Sequence, residues 1–441
     1  MHSSTRSILL ELLNFSTNQN QKLYVVGGTL RDYMSHTPCT DFDLTGKNAA
    51  NLGKSFSRSL NFKYVPLDNT PGRQTVRVIL DQQQHLDFTD LQGKNIEEDL
   101  SQRDFTINAM GQLLAEFLAG RKDVIDPHNG QSDLQNRKIR VLEGPIFQSD
   151  PLRMLRAFRF AATLSFNIDQ ETLFKISHHK TTLTESASER IWHELVLFFK
   201  TRHTLPLLEI MHCCGILECL FPFSANNFSQ TFSQFRKLEA LLNEPEKVFP
   251  EHAEELSTGV IQSNHYLLKV STLLKGPAPK YDTEKILCSD FSVTSEWDLP
   301  ASNTEINFMN QVLKGAWYLA EMYSTESQGQ DEIYELCNRI REVVPASVLL
   351  FNSNSPSNEV SNFCNHIFKF YYHQFLPAMN QNPLLKGTDI IQKLNLSPSP
   401  LFGKILDCIQ KEQVLGSIAN HEEALALARN IIQSQLTESE K

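Results

Sequence analysis

Several features are missing from this 441-residue chain, and each absence removes a class of function. No run approaches the roughly 20 consecutive apolar residues that a membrane-spanning helix needs, so no membrane partner is expected. The first residues, "MHSSTRSILLELLNFSTNQNQ", hold a short apolar run but include Glu11 and no small-residue cleavage site. No secretory signal is therefore expected, and the cytoplasm is the expected compartment. An excess of positive charge is also missing: the formal net charge is −10. That balance argues against a protein that coats nucleic acid non-specifically, and DNA is not an expected partner. The eight cysteines, adjacent Cys213 and Cys214 included, lack the paired spacing of a zinc site or a disulfide framework. Neither an internal repeat nor an extended low-complexity segment is present.

What remains divides the chain into unequal parts. Short β-rich segments, "KLYVV", "TDFDL", "FKYVPL", "TVRVILD" and "HLDFTDL", alternate with helix-like stretches over residues 47–60 and 103–117. This pattern predicts an α+β head with a mixed β-sheet over residues 1–148. From Asp150 onward the periodicity is helical, broken at "GPAPK", "DLPASN", "FNSNSPSN" and "NLSPSP". An all-helical neck is expected over 149–205, and a helical body and tail over 206–441. Cations cluster early, at Arg137, Lys138, Arg140, Arg153, Arg156, Arg159 and Arg190, whereas residues 280–342 are rich in Asp and Glu. The asymmetry suggests one nucleotide or nucleic-acid surface and one solvated acidic body.

The chemistry concentrates in "LYVVGGTLRDYMSHTPCTDFDLTG". If "DFDL" is extended, Asp41 and Asp43 share one face while Phe42 and Leu44 enter the core. Two carboxylates on one strand face suit Mg²⁺, which takes few protein ligands and completes its octahedron with water and phosphate oxygens. "HLDFTDL" offers a third acid in Asp87, with Asp90 behind it. Gly27 and Gly28, between a strand and a helix start, let backbone N–H groups approach a triphosphate; taken alone they read first as a tight turn. No Gly-Lys-Ser/Thr follows and no third glycine is present, so this is neither a P-loop nor a dinucleotide fingerprint.

"GGTLRD", "DFDL", "EEDLSQRDFTINAM", "SDPLRMLRAFRFAATLSFNID" and "ESASERIWHEL" occur in that order over residues 22–200. The series resembles the bacterial class of tRNA nucleotidyltransferases and poly(A) polymerases, in the polymerase-β-like nucleotidyltransferase superfamily. The resemblance implies template-independent addition of CMP, AMP or both to an RNA 3′ end, that of tRNA first. CTP and ATP would be substrates, two Mg²⁺ ions would assist, and pyrophosphate would leave. It implies metal binding by Asp41 and Asp43, with Asp87 as the third strand carboxylate. Gly27, Gly28 and Arg31 would bind the nucleotide, and Arg103, Asp104 and Asn108 would lie near its sugar. By residue chemistry alone, Arg103 and Asp104 also read as a surface ion pair over packed Phe105 and Ile107.

"SDPLRMLRAFRF" has two readings. In one, Asp150 caps a helix that starts at Pro151. In the other, Asp150, Arg153 and Arg156 form one polar face backed by Leu152, Leu155, Phe158 and Ala162. The resemblance makes Asp150 and Arg153 a protein template for the incoming base, with Arg156 and Arg159 able to approach phosphates. Ser149 stands where the family often has Glu. Family members that add all of CCA, or the final A, generally carry a longer flexible loop between the positions of Asp87 and Arg103. Here only "FTDLQGKNIEEDLSQ" intervenes, as in members that add cytidylates alone. Poly(A) polymerase and a non-catalytic RNA-binding protein on the same fold stand as the alternatives.

Overall fold

A computed structural model describes residues 3–221, 228–274, 300–325, 328–354, 357–394 and 399–439. The break "GPAPK" and most of "NLSPSP" lie outside the described residues. The chain forms two compact units, Met1–Leu220 and Phe221–Lys441.

The first unit opens with α1 (Ser3–Asn18) and then builds a six-stranded sheet. In chain order its elements are β1 (Tyr24–Val26), α2 (Gly27–Met34), β2 (Asp41–Gly46), α3 (Ala49–Ser59), β3 (Lys63–Asp68), β4 (Thr75–Ile79), β5 (His85–Asp90), α4 (Ile96–Leu100), β6 (Gly111–Leu113) and α5 (Leu114–Leu118). The strand order is β3-β4-β5-β2-β1-β6; β2 and β5 run parallel and the other neighbours antiparallel. Alternation along β2, β4 and β5 buries Phe42, Leu44, Val76, Val78, Leu86 and Phe88 on one face. Helix α3 covers that face with Leu52 and Phe56.

Helix and sheet touch most closely at Gly53, where a Cβ would lie 2.6 Å from Cδ2 and 2.7 Å from Cγ of Phe88. The buried ring has no room to retreat. Gly53→Ala is expected to cost about 1–3 kcal/mol by overpacking, read as a lower urea midpoint at an unchanged slope.

All five β-rich segments form strands, and the helix expected over 47–60 forms as α3. The helix expected over 103–117 does not form. The segment makes a single 3₁₀ turn at Thr106–Asn108, pairs with β1 as β6, and only then turns helical in α5. Its physical reason is burial on every side: Phe105, Ile107 and Met110 are buried, and so are Asp104, Thr106 and Asn108. An amphipathic helix would have put one of those sets in water.

Beyond the sheet, α6 (Gly130–Gln135) and the two-residue strand β7 (Lys138–Ile139) lead to α7 (Ile146–Ser149), α8 (Arg153–Leu164), β8 (Asn167–Ile168), α9 (Gln170–His179) and α10 (Ser188–Phe199). Strands β7 and β8 pair in parallel. The second unit is helical, with long helices at Phe228–Asn243, Gln262–Leu274, Asn303–Ser324 and Asn358–Phe370. A buried Lys269–Glu239 ion pair of 2.8 Å lies inside it. Its last helices, Pro400–Leu415 and His421–Ser439 among them, share a small core of Ile390, Ile405, Ile409, Ala424 and Ala428.

Candidate active site

Strand register lays out the site. The β2–β5 pairing sets Asp41 beside His85 and Asp43 beside Asp87; the β4–β5 pairing then sets Arg77 beside Asp87. All five side chains leave the sheet on the face opposite Phe42 and Phe88. Thr29, in the first turns of α2, pins the strand that carries two of them. Its hydroxyl accepts the Asp43 backbone N–H at 2.6 Å and donates to the Asp41 carbonyl oxygen at 3.1 Å.

Burial pushes the Asp43 carboxyl up to about 6, opposed by the Arg103 guanidinium, reinforced by Asp87, opposed by the Gly28 backbone amide that hydrogen-bonds it, and reinforced by Asp41. Asp41 is exposed, with His85 Nε2 3.7 Å from its Oδ1. Both oxygens of Asp87 are taken by Arg77, whose Nε and Nη2 each donate at 2.8 Å. A carboxylate whose charged form is disfavoured by burial and by two like charges is relieved by a cation, and hard oxygen donors on one open face suit Mg²⁺. Among the described residues no group of three or more His, Cys, Asp or Glu is arranged to hold a metal ion.

The glycine turn is built against this carboxylate. Gly27 has φ of +63°, and a Cβ there would lie 2.9 Å from Arg103 Nη1 and 3.2 Å from Asp43 Oδ2. Conformation and space both demand glycine. Gly28 is less constrained, a Cβ there meeting Asp43 Oδ2 at 3.4 Å.

Known families share this head. Residues 23–140 match the family described as "Poly A polymerase head domain", and residues 165–228 match "Probable RNA and SrmB- binding site of polymerase A". Residues 350–428 match a family described as tRNA nucleotidyltransferase domain 2. The CC-adding tRNA nucleotidyltransferase of Geobacter sulfurreducens is 28% identical over 95% of this chain and 93% of its own length. Over three segments the chain thus carries domains of tRNA nucleotidyltransferases and poly(A) polymerases. The A-adding tRNA nucleotidyltransferase of Deinococcus radiodurans is 25% identical, over 92% of this chain and 94% of its own. Two solved structures share the fold. The Thermotoga maritima CCA-adding enzyme complexed with tRNA has a TM-score of 0.69 at 23% identity, covering 99% of this chain and 96% of that one. A CCA-adding enzyme with ATP has a TM-score of 0.72 at 23% identity, covering 100% and 95%.

In this nucleotidyltransferase a chain of ion pairs surrounds the carboxylates. Arg31 donates from Nε to Asp32 and from Nη1 to the Asn108 side-chain oxygen, each at 2.8 Å. Asn108 donates to Asp104 at 3.0 Å, and Arg156 donates to the other Asp104 oxygen from Nε at 2.9 Å and Nη2 at 2.7 Å. Burial would raise Asp104, but Arg156, Asn108 and the Phe105 amide outweigh it and hold its pKa below the usual carboxylate value. Glu194 of α10 closes the series, accepting from Arg159 at 2.6 Å and pairing with Arg156 at 3.6 Å. Arg159 lies 4.0 Å from the Phe160 ring centroid. It is thus turned to the protein interior.

Asp150 does not cap a helix starting at Pro151. Helix α8 starts at Arg153, without a side-chain cap, because the Asp150 carboxylate is drawn to Arg190 at 3.0 Å. Arg153 donates to the Gln102 and Arg103 carbonyl oxygens at 3.1 and 3.4 Å. Sequence reasoning overlooked Arg77, Thr29 and Glu194. Only Arg77 left a signal, as the one charged residue inside the apolar alternation of "TVRVI", on the face of the carboxylates.

Proposed function

We propose that this enzyme adds cytidylate twice to the 3′ end of tRNA in the cytoplasm, releasing pyrophosphate, and stops before the terminal adenosine. The observation that carries the restriction is how firmly the connection from Asp87 to Arg103 is tied. Asn95 caps α4 by accepting the Glu98 N–H, and Glu98 accepts the Lys94 N–H. Asp99 accepts the Gln92 N–H at 2.9 Å and Arg103 Nη2 at 3.0 Å. The Gln92 side-chain amide donates to the Gly72 carbonyl oxygen, joining this segment to the β3–β4 turn. A connection held at so many points offers the nucleotide pocket one shape, and a ligand shifts an equilibrium only toward a state that is accessible.

Asp41 and Asp43 would hold the divalent cations, which when bound neutralise charge developing at the α-phosphate as the RNA 3′-hydroxyl attacks. Gly27 and Gly28 present the backbone to the triphosphate, and Arg31 and Arg103 balance its charge. Asp104 and Asn108, fixed by Arg156 and Arg31, stand for the sugar. Asp150 and Arg153 offer an acceptor and a donor to the base edge. The relation to a CC-adding enzyme over nearly the whole chain supports this reading; the A-adding relative sustains AMP addition as its competitor.

The test supplies CTP and ATP separately to tRNA transcripts ending before CCA, to transcripts ending in CC, and to an unrelated RNA. Two CMP additions to the first, with little AMP on the second, are expected at single-nucleotide resolution. AMP addition at a comparable rate would remove the restriction, and long adenylate tracts on the unrelated RNA would favour poly(A) polymerase.

A further inference from the structure

The three carboxylates are unequal in what the protein gives them. Asp41 and Asp43 stand on the edge of β2 that faces the glycine turn, while Asp87, one strand over, lies in a fork with Arg77 that engages both its oxygens. The Asp87 side chain is 14% exposed and that of Arg77 34%, so the pair is shielded more than a surface ion pair. Register makes the pairing obligatory: Asp43, Asp87 and Arg77 form one row across three strands, each beside the next. Two parallel charge-assisted bonds fix orientation as well as charge. Val76 and Val78, on either side of Arg77, are buried and hold β4 in the sheet whatever stands between them.

We propose that Arg77 is a positioning residue that withholds Asp87 from the cation and confines metal binding to Asp41 and Asp43. This rests on the assignment of Asp41 and Asp43 to the cation. An arginine fork occupies the side of the carboxylate that a metal would otherwise approach, and a metal would have to displace both hydrogen bonds. Outer partners of this sort commonly alter metal affinity about 10- to 100-fold. Here the sign is reversed, because releasing the partner frees a ligand.

The experiment measures Mn²⁺ binding to the full chain without nucleotide or RNA, by calorimetry and by the paramagnetic signal of free Mn²⁺. Asp41→Asn/Asp43→Asn tests the underlying assignment: it should lose the tight site, and unchanged binding would overturn that assignment and this inference with it. Given that loss, Arg77→Ala should bind Mn²⁺ about tenfold more tightly than the native chain. Arg77→Lys keeps the charge but cannot fork, and it should also bind more tightly. Arg77→Ala/Asp87→Asn, which removes the freed ligand, should return to native affinity. Arg77→Lys at native affinity would show that charge alone acts, and weaker or equal binding by Arg77→Ala would show that Asp87 is not withheld; either overturns the inference while leaving Asp41 and Asp43 assigned. A residue that merely braces the sheet would shift the unfolding midpoint of all three variants without this pattern in affinity.

Discussion

Asp43→Asn is expected to abolish nucleotide addition and, in the same protein, to raise the unfolding temperature above that of the native chain at pH 8 in chelator. The first effect follows from the loss of the carboxylate that would hold the cation. The second follows from linkage. The folded-state pKa of Asp43, about 6, lies well above the usual carboxylate value, so the folded chain binds the proton more tightly than the unfolded one. Stability is therefore fullest below pH 4 and declines as pH rises through 6. At pH 8 the charged, metal-free carboxylate costs on the order of 1–3 kcal/mol, and asparagine removes that cost while keeping an oxygen for the Gly28 amide. Thermal melts of both chains at pH 4 and pH 8, with and without EDTA, together with CMP incorporation, check both effects. A lower melting temperature for the variant at pH 8 in chelator would contradict the argument. Asp41→Asn, at an exposed position, should lose activity without gaining stability.

Arg156→Ala carries the next largest consequence, chiefly for stability. Truncation leaves Asp104, 7% exposed, without its bidentate partner, and removes one of the two arginines at Glu194. Breaking a buried pair from one side costs about 3–5 kcal/mol; because Asn108 and the Phe105 amide still serve the other Asp104 oxygen, the lower end is expected. Urea unfolding reads the loss. Arg156→Ala/Asp104→Asn should recover part of it, since the uncompensated charge is gone, and a coupling energy near zero in that cycle would mean the two residues do not act together.

Much of the head was legible because strands alternate. Buried Phe42, Leu44, Leu86 and Phe88 interleave with Asp41, Asp43, His85 and Asp87, a period that only an extended chain produces. "RDFTINAM" misled for the opposite reason. Past Arg103, its polar residues are as buried as its apolar ones, satisfied by Arg156, Asp133 and one another, so no periodicity marked its shape. Asp41, Asp43 and Asp87 could be singled out one strand at a time, whereas the Arg77 fork depends on which strands become neighbours. Likewise, Glu194 looked like one more polar residue of a neck helix. What makes it distinctive is that two arginines from α8 converge on it, a fact of packing between helices rather than of local pattern.

The parallel pairing of β2 with β5 also sets an order of events during synthesis. Helix α3 and strands β3 and β4 all lie between the two strands in the chain, so Asp43 and Asp87 can become neighbours only after that intervening stretch has been made and folded back. Local hairpins such as β3–β4 close early, and distant pairings close late. A ribosome paused before His85 thus holds a chain with its glycine turn and one acidic strand, but without the strand that flanks it. The strand leading into the glycine turn, in turn, waits for β6 to cover its other edge. A fragment that ends before His85 therefore lacks both Asp87 and the strand that flanks Asp43.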